Sequence, residues 1–283
     1  MRKPVATILA AACALACGAP RPRPPSGPAA LTVKGRVENG PFVFGREDLA
    51  RLPRRAFRAQ DPRAGRAVAF EGISLAPLLA DEMALGRGVD TAAIRGADGY
   101  LAAVPLSAIR QLRPVLADRA DGQPLRALRL VWPNLDWPGL ETDPRTRFWW
   151  VEGVVDVDVL VWERSFGRAL RLPAGASDAA RLGADGFVTW CFSCHRLRGV
   201  GGERGAELTK AARALGAGRT EERARRHGGA EAARLGSPPP PEGVPAQIAA
   251  FLAAVEAAGP LPAQDEKADE RREEELLPPP RPW

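Results

Sequence analysis

The sequence predicts an α+β protein, with a mixed α/β segment over residues 30–165 and a small all-α segment over 176–260. Three observations carry this. Leu31-Thr32-Val33-Lys34-Gly35-Arg36-Val37 alternates apolar and polar residues and stops at a turn signal, Glu38-Asn39-Gly40-Pro41. The alternation returns between Val151 and Trp162, which sets Val155, Val157, Val159 and Val161 on one face and Asp156, Asp158 and Leu160 on the other. From about Ala176 to Gly259 the apolar spacing becomes that of amphipathic helices, and strand signals cease.

Between the two alternating stretches, short helices are expected at Arg46 to Leu52, Ser74 to Asp81 and Leu106 to Leu112. Asp98-Gly99 reads as a turn, because Gly supplies positive φ and Asp bonds its own backbone, and Glu71-Gly72 precedes a helix. Trp132, Trp137, Trp149 and Trp150 are expected as core or interface rings. In the helical part, Ser177 caps a helix running to Trp190, with Phe187 and Trp190 facing inward. Pro245 opens the last helix, whose Ile248, Phe251, Leu252 and Val255 form one apolar face. Phe187 is expected to meet Phe251 or Leu252.

Both ends have a different character. Met1-Arg2-Lys3 followed by an apolar run from Val5 to Ala16 reads as a signal peptide over residues 1–17, too short to span a bilayer as a mature helix. Its end, Ala14-Leu15-Ala16-Cys17-Gly18, resembles the lipobox of bacterial lipoproteins, with Ala14 where that family favours Leu. The resemblance implies that Cys17 is lipidated and the chain tethered to a membrane; the alternative is an ordinary secretory signal. Either reading exports the chain, with the periplasm as the expected location. Residues 18–29, with Pro20-Arg21-Pro22-Arg23-Pro24-Pro25, read as an extended tether, and residues 263–283 as a disordered, charged tail. The net charge of +6 is spread as Arg among Asp and Glu, without a compact basic block or interleaved aromatics, which argues against nucleic-acid binding.

The chemistry is concentrated in Cys191-Phe192-Ser193-Cys194-His195. C-x-x-C-H is the attachment signature of c-type haem. Thiols at i and i+3 reach neighbouring vinyl groups on one porphyrin edge, and the next residue, His195, is placed to bind iron from the proximal side. One covalent haem c is therefore expected on Cys191, Cys194 and His195. A zinc site would need two further ligands; the chain's other Cys are Cys13 and Cys17 at the extreme N-terminus, and its other His is His227. A redox dithiol would leave His195 unexplained.

Two family resemblances follow from these residues. Thr32-Val33-Lys34-Gly35, Phe70-Glu71-Gly72-Ile73-Ser74-Leu75-Ala76-Pro77-Leu78-Leu79, Ala97-Asp98-Gly99-Tyr100 and Asp121-Gly122-Gln123-Pro124-Leu125, in that order, resemble the molybdopterin-binding oxidoreductase domain of the sulfite oxidase type. Catalytic members of that family hold molybdenum through a cysteine thiolate, and residues 31–165 contain neither Cys nor His. The resemblance implies a fold and not a working molybdenum centre. Residues 176–260 resemble a small class I cytochrome c: Cys194-His195-Arg196-Leu197-Arg198-Gly199-Val200-Gly201-Gly202 and Gly205-Ala206-Glu207-Leu208-Thr209 follow the haem motif as in that family. That family's distal Met is missing, since no Met follows Met83. His227, in Arg225-Arg226-His227-Gly228-Gly229, is the remaining imidazole; it is either an exposed loop side chain or the distal ligand.

The function expected from sequence is an exported, lipid-anchored c-type cytochrome that passes single electrons to redox partner proteins. Two alternatives stay open: a subunit of a molybdopterin-dependent oxidoreductase, or a five-coordinate haem protein that senses a small ligand or reacts with peroxide.

Overall fold

The computed structural model describes residues 23–80, 83–234 and 238–261. The signal segment with Cys17, the start of the tether and the tail at 263–283 lie outside the described residues. No helix among the described residues is long and apolar enough to cross a membrane.

The chain is of mixed α/β class, built on a curled nine-stranded sheet. In chain order it runs β1 (Ala29–Gly35), β2 (Phe42–Gly45), α1 (Arg46–Ala50), β3 (Arg54–Asp61), β4 (Arg66–Ser74), α2 (Leu75–Ala80), β5 (Thr91–Gly96), β6 (Leu101–Pro105), α3 (Leu106–Leu112), β7 (Val115–Ala120) and β8 (Gln123–Val131). Two single-turn helices, α4 (Gly139–Thr142) and α5 (Pro144–Arg147), lead to β9 (Val151–Leu160) and α6 (Trp162–Ser165). The main path is β2-β1-β9-β8-β7-β4-β3, with the β5–β6 hairpin attached to the free side of β9.

β9 organises the sheet because it has three partners. Its first residues pair antiparallel with β8 (Leu130 opposite Val151), and its later ones pair parallel with β1 (Thr32 opposite Asp156). β5 covers the other edge, with Thr91 opposite Leu160. Strict alternation along β9 is broken where Arg95 faces Asp156 but Gly96 faces Val154, so Val155 has no partner. An extra residue of this kind is a bulge, and it inverts the inside–outside pattern on one side of it. The bulge corrects the expected face: Val155 is exposed, and Val154 is buried together with Val157 and Val159.

Phe70, Ile73, Leu75, Leu78, Ile94, Ile109 and Trp132 fill the interior over the sheet. Within it lies a buried ion pair, in which Arg129 donates to both carboxylate oxygens of Asp61 at 2.7 Å. The Arg129 guanidinium also lies 5.3 Å from the Phe70 ring centre and 5.4 Å from that of Trp150. A two-pronged bond and two ring faces satisfy a charge that would otherwise be costly to bury. Trp132 and Trp150 are core rings as expected, whereas Trp137 is exposed.

The last stretch is helical: α7 (Asp178–Trp190), α8 (Ala211–Leu215), α9 (Ala217–Arg234) and α10 (Val244–Ala257). Ser177 caps α7 by accepting from Ala180 N–H at 3.2 Å. α7 and α10 pack along their lengths, with the rings of Phe187 and Phe251 5.5 Å apart. One detail departs from the expected pattern. Two-residue strands β10 (Arg196–Leu197) and β11 (Val200–Gly201) form a hairpin after the Cys/His motif, turning through Arg198 and Gly199 at positive φ.

Candidate haem site

The Cys191–His195 segment leaves the C-terminus of α7 as a tight turn. Cys191 N–H donates to Phe187 O at 2.9 Å, and His195 N–H donates back to Cys191 O at 2.9 Å. Phe192 drives inward between these residues; it is buried against Phe166 at 5.0 Å and Trp162 at 5.8 Å, centre to centre. The apolar residue inside the motif thereby anchors the turn and leaves both thiols half-buried and free.

These thiols are not activated. Burial pushes Cys191 up to about 12 and Cys194 up to about 11, well above an ordinary thiol. Catalytic and redox-active dithiols have the opposite shift, produced by nearby positive charge. Among the described residues no group of three or more His, Cys, Asp and Glu side chains is placed to hold a metal ion as it stands.

His195 is held by the loop that follows. Its Nδ1 lies 2.8 Å from the Ala206 carbonyl, so the ring nitrogen there carries the proton and donates, leaving the Nε2 lone pair free. Burial keeps the His195 pKa below the ordinary imidazole range, and the neighbouring His227 adds to this against the pull of the Ala206 bond. A neutral imidazole with Nε2 unprotonated is the metal-binding form. Gly205 lies flat against the ring: a Cβ there would come within 2.4 to 2.8 Å of three imidazole atoms. The loop is itself tied down, with Arg198 N–H donating to Thr209 Oγ1 at 2.6 Å and the Glu207 carboxylate accepting from Gly199 and Thr209 N–H at 3.2 Å each.

His227 faces His195. The two Nε2 atoms are 3.4 Å apart, the ring centres 5.5 Å, and the rings cross at 76°. His227 is not on a loop as its Gly-rich surroundings suggested; it lies within α9, which continues through Gly228 and Gly229. Gly228 is where the chain beyond the helix approaches, with Pro240 2.9 Å from the position of a Cβ. The donor set of two thiols on one turn and two imidazoles whose Nε2 atoms face each other would suit a covalent haem, held by Cys191, Cys194, His195 and His227.

Cys191, Cys194, His195 and His227 are thus brought together, and Cys17 lies outside the described residues. Sequence reasoning missed the Ala206 carbonyl, which acts through its backbone and leaves no residue-type signal. It also missed a cleft of about 410 Å³ that joins Cys194 and His227 to Tyr100, Phe148 and Trp150 of the sheet region.

No protein-family model matches the chain, and no curated protein matches it. Among solved structures, the chain is similar to the sulfane dehydrogenase SoxCD from Paracoccus pantotrophus, with 24% identity and a TM-score of 0.37. That match covers 46% of this chain and spans 38% of the other. It is a distant likeness to a redox enzyme.

Proposed function

We propose that this protein is an exported c-type cytochrome that carries single electrons on one covalent haem, ligated by His195 and His227. The observation that carries the reading is the opposition of two imidazole Nε2 atoms at 3.4 Å, directly beside the C-x-x-C pair from which one of them follows. When bound, the haem supplies one-electron exchange between ferric and ferrous iron. Cys191 and Cys194 tether it through thioether bonds, and their buried, protonated state keeps them from side reactions beforehand. The Ala206 carbonyl fixes the tautomer and orientation of His195, while α9 carries His227 to the opposite side. Phe187, Phe192 and Trp190 keep water from the base of the site.

Two imidazole ligands leave no open iron position, which favours electron transfer over ligand sensing or peroxide chemistry and implies a lower potential than a His/Met pair. In this reading residues 176–260 form the cytochrome domain, and residues 30–165 form a sulfite-oxidase-like domain without molybdopterin. Redox partner proteins in the periplasm supply and accept the electrons, and a lipid on Cys17 holds the chain at a membrane. The test is expression in cells that attach c-type haem, followed by haem staining after denaturing electrophoresis. Staining that persists through denaturation in the native chain and disappears in a Cys191→Ala/Cys194→Ala variant supports the reading; an unstained native chain contradicts it.

A further inference from the structure

The two thiols of the attachment motif rest on different apolar clusters. Cys191 packs against the smaller apolar cluster, in which Phe187, Phe192 and Phe251 join Ala93, Leu101, Phe148 and Leu160 of the sheet region. Cys194 packs instead against the cluster of the sheet. Beside Cys194, a cleft of about 410 Å³ brings Trp190, Cys194 and His227 together with Tyr100, Phe148 and Trp150, and charged side chains that include Arg63, Glu152, Arg204 and Glu231 also line it. Tyr100, Phe148 and Trp150 are each more than nine-tenths buried. Phe148 meets Trp190 edge-on across the seam at 5.4 Å.

The turn joining β5 to β6 pins this arrangement. Leu101 N–H donates to the carbonyl of Ser193, between the two cysteines, at 2.9 Å, and Glu203 N–H donates to Gly99 O at 2.8 Å. Gly99 has φ +82°, and a Cβ there would come within 3.0 to 3.1 Å of the Glu203–Arg204 backbone, so only Gly lets the turn approach so closely. The Tyr100 hydroxyl donates to Phe148 O at 2.9 Å and ties this turn to the aromatic wall.

We infer that the sheet region is one wall of the haem pocket, with Tyr100, Phe148 and Trp150 covering the rim of the macrocycle that carries the Cys194 thioether. The inference rests on the haem reading above. It gives the sheet region a role that needs no molybdenum.

The test compares backbone hydrogen exchange in the haem-loaded chain and in the Cys191→Ala/Cys194→Ala variant. Haem loading should slow exchange at residues 97–101 and 146–152 of the sheet region as well as in the helices. Slowing confined to 178–257 would overturn the inference and leave the haem reading intact, whereas a native chain without covalent haem would overturn both. A second measurement keeps the question open to a folding-neutral variant. Trp150→Phe should leave the midpoint potential near the native value, and Trp150→Ala should shift it; equal potentials for both variants and the native protein would contradict the wall.

Discussion

The sheet and the helical region of this chain solve the problem of an interior in opposite ways. The sheet fills most of its interior with its own side chains: Phe70, Ile73, Leu78, Ile94 and Trp132 are almost fully buried, and its buried charges, Arg129 and Asp61, are joined by a two-pronged bond. The helical region has a smaller cluster around Phe187, Phe192 and Phe251, and beside it two thiols and two imidazoles that satisfy little within the protein. An interior complete with its own side chains is a scaffold. One that presents two thiols outside any disulfide, and a histidine oriented by a backbone carbonyl, is where the proposed haem would sit. The contrast teaches where the chemistry lies.

The most severe way to break that contrast is to remove the tether. Cys191→Ala/Cys194→Ala should abolish covalent haem altogether while the sheet keeps its structure, and far-ultraviolet circular dichroism together with haem staining would check both halves. Next in size, His227→Ala should keep the covalent haem but open one iron position; the reduced protein should then bind carbon monoxide where the native protein does not. A His227→Ala variant with the native spectrum would remove His227 from the site.

Two stability measurements sharpen the scaffold side. Asp61→Asn removes the two-pronged carboxylate partner of Arg129, leaving Glu152 against its Nε, and should cost about 3 kcal/mol, at the low end for a broken buried pair. Its pH dependence has a definite sign. Burial opposes ionisation of Asp61 most strongly, but the hydrogen bonds from Arg129 and from Arg63 N–H, together with the charge of Arg129, outweigh it, so the folded pKa lies below the unfolded one. The pair's contribution is therefore complete above the ordinary carboxylate range and is lost as pH falls through the lower folded value. Denaturant titrations at neutral and acid pH should show the native protein losing stability on acidification and Asp61→Asn losing less. On the helical side, Phe251→Ala should cost about 3 kcal/mol by leaving a cavity against Phe187. Smallest, Ser177→Ala removes the acceptor for Ala180 N–H and should cost about 1 kcal/mol, read from the melting of α7.

Much of the architecture was legible because local signals and tertiary demand agree. The cap at Ser177, the apolar face of α10 and the helix Leu106–Leu112 all stand where residue pattern put them. Failures arose where a distant partner decides. Val155 follows the alternation of its neighbours, but the bulge opposite Arg95 and Gly96 turns it outward, and that is a property of the pairing with β5. Gly228 and Gly229 look like a helix end; α9 runs through them, and at Gly228 Pro240 packs close against the helix. The motif singled out Cys191, Cys194 and His195 by spacing, and the structure sets them on one turn at the end of α7. The placement of His227 depended on the course of α9, and the role of Ala206 rests on a carbonyl that every residue has.

The central claim is tested most directly by the optical spectrum of the native, haem-loaded protein, oxidised and then reduced, with and without carbon monoxide. Ligation by His195 and His227 predicts sharp low-spin bands in the reduced protein that carbon monoxide leaves unchanged. A high-spin spectrum that shifts on adding carbon monoxide would contradict it and return the iron to the five-coordinate alternative.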